Sequence, residues 1–343
     1  METQKEHWIP IIVIILFIAI AGLTYLQDSI TNRPTQTQPV TVLELAGPIK
    51  TPRAELSGLG WHGNILILLP QHPERFGNGD GALFSITKNE ILDVLNGNRK
   101  TPLEPALISL VAPGVKEFLK NFRGYKSIAF NNNQVFLTAE AQVGGSIQSY
   151  LIAGNIEPNS SKIILSTRKV VKIPKTFTSA NRSGESLLIE GNSILTLFEV
   201  NGDKLNPLPT AHVFDLTLNQ QDTISFPKIE FRITDAAAES GNNFWVINYF
   251  FPKDSDLATN YDPLALKYNK LIVQTEQTEV ERLVEMTYSP KGITLADSPP
   301  IQLTLDENNS RNLEGLALLD DKGFLLATNK YPATMLLFVE RPK

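Results

Sequence analysis

The chain of 343 residues has no cysteine. That excludes a disulfide framework, a thiolate nucleophile and any Cys-ligated zinc site. Histidine is scarce: the four are His7, His62, His72 and His212, and none forms a His-x-x-x-His or His-Glu pairing that would suggest zinc. No Lys/Arg-rich run interrupts a net charge of -5, so the electrostatic footprint of a nucleic-acid binder is missing. Also missing are a Gly-x-Ser-x-Gly nucleophile elbow, a glycine-rich phosphate cradle and an Asp-x-Asp-x-Asn-Gly calcium loop. Helical periodicity is confined to a stretch around residues 89–95 and a short turn near residues 116–121.

What is present is a phrase that recurs five times. A small or acidic residue opens a short apolar strand, a polar turn follows, and a second apolar strand ends on a polar residue. The copies run over residues 56–69, 126–138, 184–198, 236–247 and 313–327. Their opening residues Ser57, Ser127, Glu185, Ala236 and Glu314 are 70, 58, 51 and 78 residues apart. Propeller repeats run ~40–50 residues, so the two longer steps imply insertions or a hidden blade. Insertions are expected at residues 76–99 and 252–266. A hidden blade would use Lys270-Leu271-Ile272-Val273 with Val284-Glu285-Met286-Thr287-Tyr288. Further strand pairs lie between the copies, at residues 149–156 with 161–165 and at 212–216 with 228–233. The fold expected is an all-β propeller of six blades, with five or seven open, over residues 42–343.

The N-terminus carries one uncharged apolar run, with Trp8 and Tyr25 at its ends. A membrane-spanning helix needs ~20 such residues, and aromatics favour the headgroup level. A cleaved signal peptide is the alternative, although its apolar core is usually only ~7–15 residues. The expected order is a short cytoplasmic stub over residues 1–7, a transmembrane signal anchor over residues 8–27 and a flexible linker over residues 28–41. The propeller then lies outside the cytoplasm, with the membrane as a partner and nucleic acid excluded.

Superposing the copies yields two columns at strand ends, Ser57, Ser127, Glu185, Ala236, Glu314 and Pro70, Glu140, Glu199, Tyr249, Asn329. Carboxylates gathered at one mouth of a channel repel one another unless a cation or polar group offsets them. Glu140, Glu185, Asp235, Glu239 and Glu314 are therefore candidates for an axial site, with Asn181, Asn312 and Asn329 as neutral oxygen donors. Glu140, Glu185, Asp235, Glu314 and Asn329 form the candidate set for a calcium ion. Glu140, Glu314, His62 and His72 are the catalytic candidates, a histidine being able to act as acid or base near neutral pH. The bland reading is that Glu and Asn merely close turns on a solvated funnel. Asn201-Gly202-Asp203 and Asp320-Asp321-Lys322-Gly323 read as ordinary hairpin turns.

Three segments carry a family resemblance. Ala54-Glu55-Leu56-Ser57-Gly58-Leu59, Tyr125-Lys126-Ser127-Ile128-Ala129-Phe130 with Phe136-Leu137-Thr138-Ala139-Glu140, and the run from Asn312 to Lys330 together resemble the esterase-like phytases and the SdiA-regulated propellers. The resemblance implies an exported propeller with Glu140 and Glu314 in an acidic, calcium-related channel site, and in some members phosphoester hydrolysis. Leu69-Pro70-Gln71-His72-Pro73 replaces the family's Asp-x-Gly, and Ser127 stands where Glu is common; both changes remove carboxylates. Three functions follow as expectations: a module binding a small molecule or envelope protein at its channel mouth, a calcium-dependent phosphate- or carboxylate-ester hydrolase, and a structural docking platform of the envelope.

Overall fold

The computed structural model describes residues 36–175, 181–259, 261–268, 279–306 and 311–342. The expected anchor and stub lie outside these, and no helix among the described residues is long and apolar enough to cross a membrane.

The recurring phrase is a β-hairpin. In the first copy Leu56–His62 pairs antiparallel with Ile65–Pro70, the turn passing through Gly63 at φ +57°. A two-residue hairpin turn of this hand needs positive φ. Gly191 supplies it in the third copy, whereas Asn132 and Asp320 supply it in the second and fifth, because short polar side chains tolerate that region. Each hairpin extends outward into a four-stranded antiparallel unit. The first unit adds Ala82–Thr87 and Ala106–Val111. The second is Phe122–Asn131, Gln134–Val143, Ser146–Ile156 and Lys162–Lys172. The third is Gly184–Glu190, Ser193–Phe198, Thr210–Asp215 and Gln220–Ser225. The fourth is Ile229–Ala238, Asn243–Phe250, Val280–Ser289 and Gly292–Leu295.

The fifth unit closes the ring. Leu313–Leu319, Gly323–Thr328 and Leu336–Glu340 take their outermost strand from the other end of the chain, Val40–Leu43, with Val40 opposite Val339 and Leu43 opposite Leu336. The innermost strands then touch in cyclic order, first to second to third to fourth to fifth and back to the first. Contact is close: a Cβ on Gly60 would lie 2.9 Å from the Ile128 carbonyl of the next unit. Buried apolar clusters fill the gaps between neighbouring sheets, as radial sheets require.

Several expectations change. Among the described residues five such units are present, within the range of five to seven expected. The long step from Ser57 to Ser127 holds an insertion with helix Lys88–Leu95, which starts on a capping box between Thr87 and Glu90. The step to Glu314 holds residues 251–279, including helix Pro263–Lys267. The hidden-blade segment Val284-Glu285-Met286-Thr287-Tyr288 is the third strand of the fourth unit, paired to Asn243–Phe250; residues 270–273 fall outside the described residues. The strand expected to start at residue 228 as an outer one is the innermost strand of the fourth unit. Of the expected linker, residues 28–35 lie outside the described residues, while Gln36–Gln38 pairs with Ile301–Leu303 and Val40–Leu43 completes the fifth unit.

Candidate functional site

Every innermost strand carries an extra residue near its start, and that of the second unit carries another between Phe122 and Gly124. The pairing register skips between Leu56 and Gly58, Tyr125 and Ile128, Gly184 and Ser186, Ile233 and Ala236, and Leu313 and Gly315. Such bulges interrupt the ladder and re-aim a side chain. The registers also fix which residues are equivalent. At the far end of the channel the five strands contribute matching triplets, residues 59–61, 128–130, 187–189, 236–238 and 316–318, around a small cavity of about 170 Å³. Counting back from those triplets, the true first ring is Ser57, Lys126, Glu185, Thr234 and Glu314. The second strands give Gln71, Glu140, Glu199, Tyr249 and Asn329. The sequence columns were thus correct at three of five and four of five positions. A one-residue slip put Ser127 for Lys126 and Pro70 for Gln71, and a two-residue slip put Ala236 for Thr234.

At this end a polar cavity of about 510 Å³ opens among Gln71, His72, Phe122, Arg123, Lys126, Glu140, Ile147, Asn181, Arg182, Glu185, Glu199 and Arg232. Lys126 Nζ lies 3.0 Å from Glu185 Oε1 and 3.4 Å from Glu140 Oε2. Arg232 donates through Nε to Glu199, while its Nη2 stands 3.5 Å from Glu314 Oε1 and 3.6 Å from Glu185 Oε2. Arg182 donates from Nη1 to Glu199 Oε1 at 3.0 Å and from Nη2 to Asp256 Oδ1 at 3.0 Å. The Ser183 hydroxyl donates to Glu140, and Asn312 Nδ2 donates to Glu314 Oε1 at 3.0 Å. All four glutamates are buried.

Burial opposes charge on every member of this set, and the neighbours decide the outcome. Burial works against the Lys126 ammonium, yet Glu140, Glu185 and Glu314 hold its pKa well above the ordinary lysine range. Glu185 is likewise opposed by burial but drawn below the usual carboxylate value by Lys126 and Arg232. Glu199 goes the other way. Burial, with the charge of Glu185 adding, outweighs both guanidinia and raises it to about 7. Glu314 is raised as well, chiefly by burial. The result is a carboxylate at Glu185 that holds its charge more firmly, beside two that protonate more readily.

The candidates from the sequence are distributed as follows. Glu140, Glu185 and Glu314 come together at this mouth, with Asn312 and Asn181 beside them. Asn329 lies at its edge, donating to Gln71 Oε1 at 3.2 Å. Asp235 is one step deeper, inside the channel. It accepts from Ser127 Oγ and from Leu316 N, both at 2.8 Å, and burial pushes its pKa well above the carboxylate range. Glu239 is at the opposite end, accepting from Trp245 Nε1 and pairing with Arg341. His72 borders the mouth, with Nδ1 3.4 Å from Glu74 Oε1. His62 follows the far-end triplet and bonds Ser160 and Asn133, so it cannot act at the same centre.

What the sequence columns missed are the three cations Lys126, Arg182 and Arg232. Lys126, the residue just before Ser127, enters the corrected ring, whereas Arg232 lies two residues before Thr234 and reaches the mouth from outside it. Among the described residues no group of three or more acidic or histidine side chains could hold an ion. A calcium ion also needs six to eight oxygens, and here an ammonium and a guanidinium already stand against those carboxylates. The candidate set Glu140, Glu185, Asp235, Glu314 and Asn329 does not fit calcium.

No protein-family model matches the chain, and no curated protein sequence matches it. Solved structures do show similar architecture. A glucose dehydrogenase is 11% identical over 88% of this chain and 99% of its own, with a TM-score of 0.43. A luciferin-regenerating enzyme is 8% identical over 88% and 95%, at 0.45. A GH43_1 enzyme from Xanthomonas citri is 10% identical over 87% and 91%, at 0.45. No residue role passes from them to this chain.

Proposed function

We propose that this protein is a membrane-anchored, extracytoplasmic β-propeller of five blades that binds a small polar molecule at the charged mouth of its channel. The observation that carries the binding reading is the concentration of buried charge there. Lys126, Arg182 and Arg232 pair with Glu140, Glu185, Glu199 and Glu314, and all of these but Glu314 line a cavity of about 510 Å³. Burying ions is costly, and a buried ion pair is weak evidence of stability, so a binding role accounts for the cluster better than scaffolding does. The apolar run over residues 8–27 supports the anchor, and a folded domain after one N-terminal anchor is normally exported. Hydrolysis assisted by calcium loses support with the misfit of the donor set, and a pure docking platform needs no such pocket.

The test is a thermal-shift screen of the full-length chain against sugars, polyols, organic acids, amino acids, nucleotides and phosphates. Gln71→Trp, which fills the cavity without removing a charge, is the control. Compounds that raise the melting temperature of the wild type but not of the variant are expected. A panel with no such compound would sink the reading. For the anchor, the chain should stay with membranes after an alkaline carbonate wash.

A further inference from the structure

The mouth contains one acceptor with nothing to accept from. Glu185 is 5% exposed, and its Oε2 has no hydrogen-bond partner. The nearest cation, Arg232 Nη2, is 3.6 Å away, beyond hydrogen-bond range, and the same nitrogen is 3.5 Å from Glu314. An unmade bond on a buried carboxylate costs more than an ordinary lost contact. Both residues line the cavity.

We propose that this gap is the seat of a hydroxyl of a neutral polyhydroxylated ligand, a saccharide or cyclic polyol, rather than of a phosphate or carboxylate. The argument rests on the binding reading above and is one of complementarity. A group placed between Glu185 Oε2 and Arg232 Nη2 must donate to the first and accept from the second. A hydroxyl does both, whereas a fully ionised carboxylate or phosphate only accepts. Charge points the same way. Lys126, Arg182 and Arg232 already face Glu140, Glu185, Glu199, Glu314, Asp254 and Asp256, so an anion would meet no uncompensated positive charge. Phe122 and Ile147 supply an apolar wall beside the polar groups, which suits the C–H face of a sugar ring lying against its hydroxyl edge.

The experiment is calorimetric titration of the full-length chain with D-glucose, maltose and myo-inositol, and separately with inorganic phosphate and citrate. At least one neutral polyol is expected to bind, with phosphate failing to displace it. Glu185→Gln should weaken that binding at least tenfold, the loss of one charge-assisted hydrogen bond. Phe122→Ala, whose ring meets Tyr125 and the Lys116 ammonium but none of the charges of the mouth, should weaken it severalfold and guards against a Glu185 variant that folds poorly. Binding of phosphate or citrate in place of the polyols overturns the ligand class while leaving the mouth as a binding site. If no polyol binds, or binding is indifferent to both substitutions, the assignment is wrong, and the wider screen with Gln71→Trp then decides separately whether the mouth binds anything.

Discussion

The two ends of one channel are built from the same five strands and could hardly differ more. At the far end the strands contribute residues such as Leu59, Ala129, Leu187, Ala237 and Ala317 around about 170 Å³. At the near end, two or three residues earlier in the same strands, they present Lys126 and Glu185 to about 510 Å³, with Glu314 beside them. The far end shows what the architecture requires: small and aliphatic side chains that let strands crowd round an axis. The near end shows what it does not require. There the bulges take residues out of the ladder and turn them to the channel, so their identity is free to serve something other than folding. Between the two, Asp235 accepts hydrogen bonds from neighbouring units and separates the polar mouth from the apolar one.

This contrast is broken most directly at Arg232. Its side chain faces Glu185, Glu199 and Glu314 at once. Arg232→Met leaves those buried carboxylates without their shared cation, a change that typically costs about 3–5 kcal/mol. Urea unfolding at pH 7 should show that loss, and the deficit should shrink at pH 5 as the carboxylates protonate. A deficit under about 1 kcal/mol at pH 7 would mean the cluster is hydrated rather than buried.

The far end is expected to respond more weakly and without any dependence on pH. Leu187 is buried among Phe136, Leu151, Ile173, Ile194 and Phe214. Leu187→Ala should cost about 2–3 kcal/mol, the low end for such truncations, because the side chain also borders existing cavity space. The same urea experiment reads it, and ligands of the polar mouth should still raise the melting temperature. If Leu187→Ala abolished that shift, the two ends would be coupled and the comparison would have to be redrawn.

The difference between the ends also explains what could be read from sequence. The apolar phrase repeats because packing repeats, so the strand pairs starting at Leu56, Gly184 and Leu313 were visible. That the fifth sheet takes its outermost strand from Val40–Leu43 was not, because that strand is distant in the chain from the three it joins. Residues 280–289 imitated a new blade because an insertion separates them from the strand they pair with. At the mouth, Glu140, Glu185 and Glu314 were legible as acidic residues at equivalent strand ends. Lys126 was not, since the bulge shifts the ring by a residue that alternation alone cannot count, and Arg232 was not, since it lies two residues outside that ring. A search for ligating oxygens also passes over the cations that neutralise them.

The smallest expected effect concerns Glu199, and it tests whether burial or ion pairing rules the near end. Its folded pKa of about 7 lies above the ordinary value of 4.5. The native state therefore binds more protons than the unfolded state between those values. The stability this group contributes is then fully present below about pH 4.5 and is lost as pH rises through about 7. Glu199→Gln carries no such proton, so the wild-type advantage over the variant should fall by about 1–3 kcal/mol between pH 4.5 and pH 8. Paired unfolding curves across that range check it. An advantage that grows with pH instead would show Glu199 ionised throughout, held so by Arg182 and Arg232 against the cost of burial. The near end would then be a rigid salt lattice with Arg182 and Arg232 fully engaged, leaving Lys126 and Glu185 alone to meet a ligand.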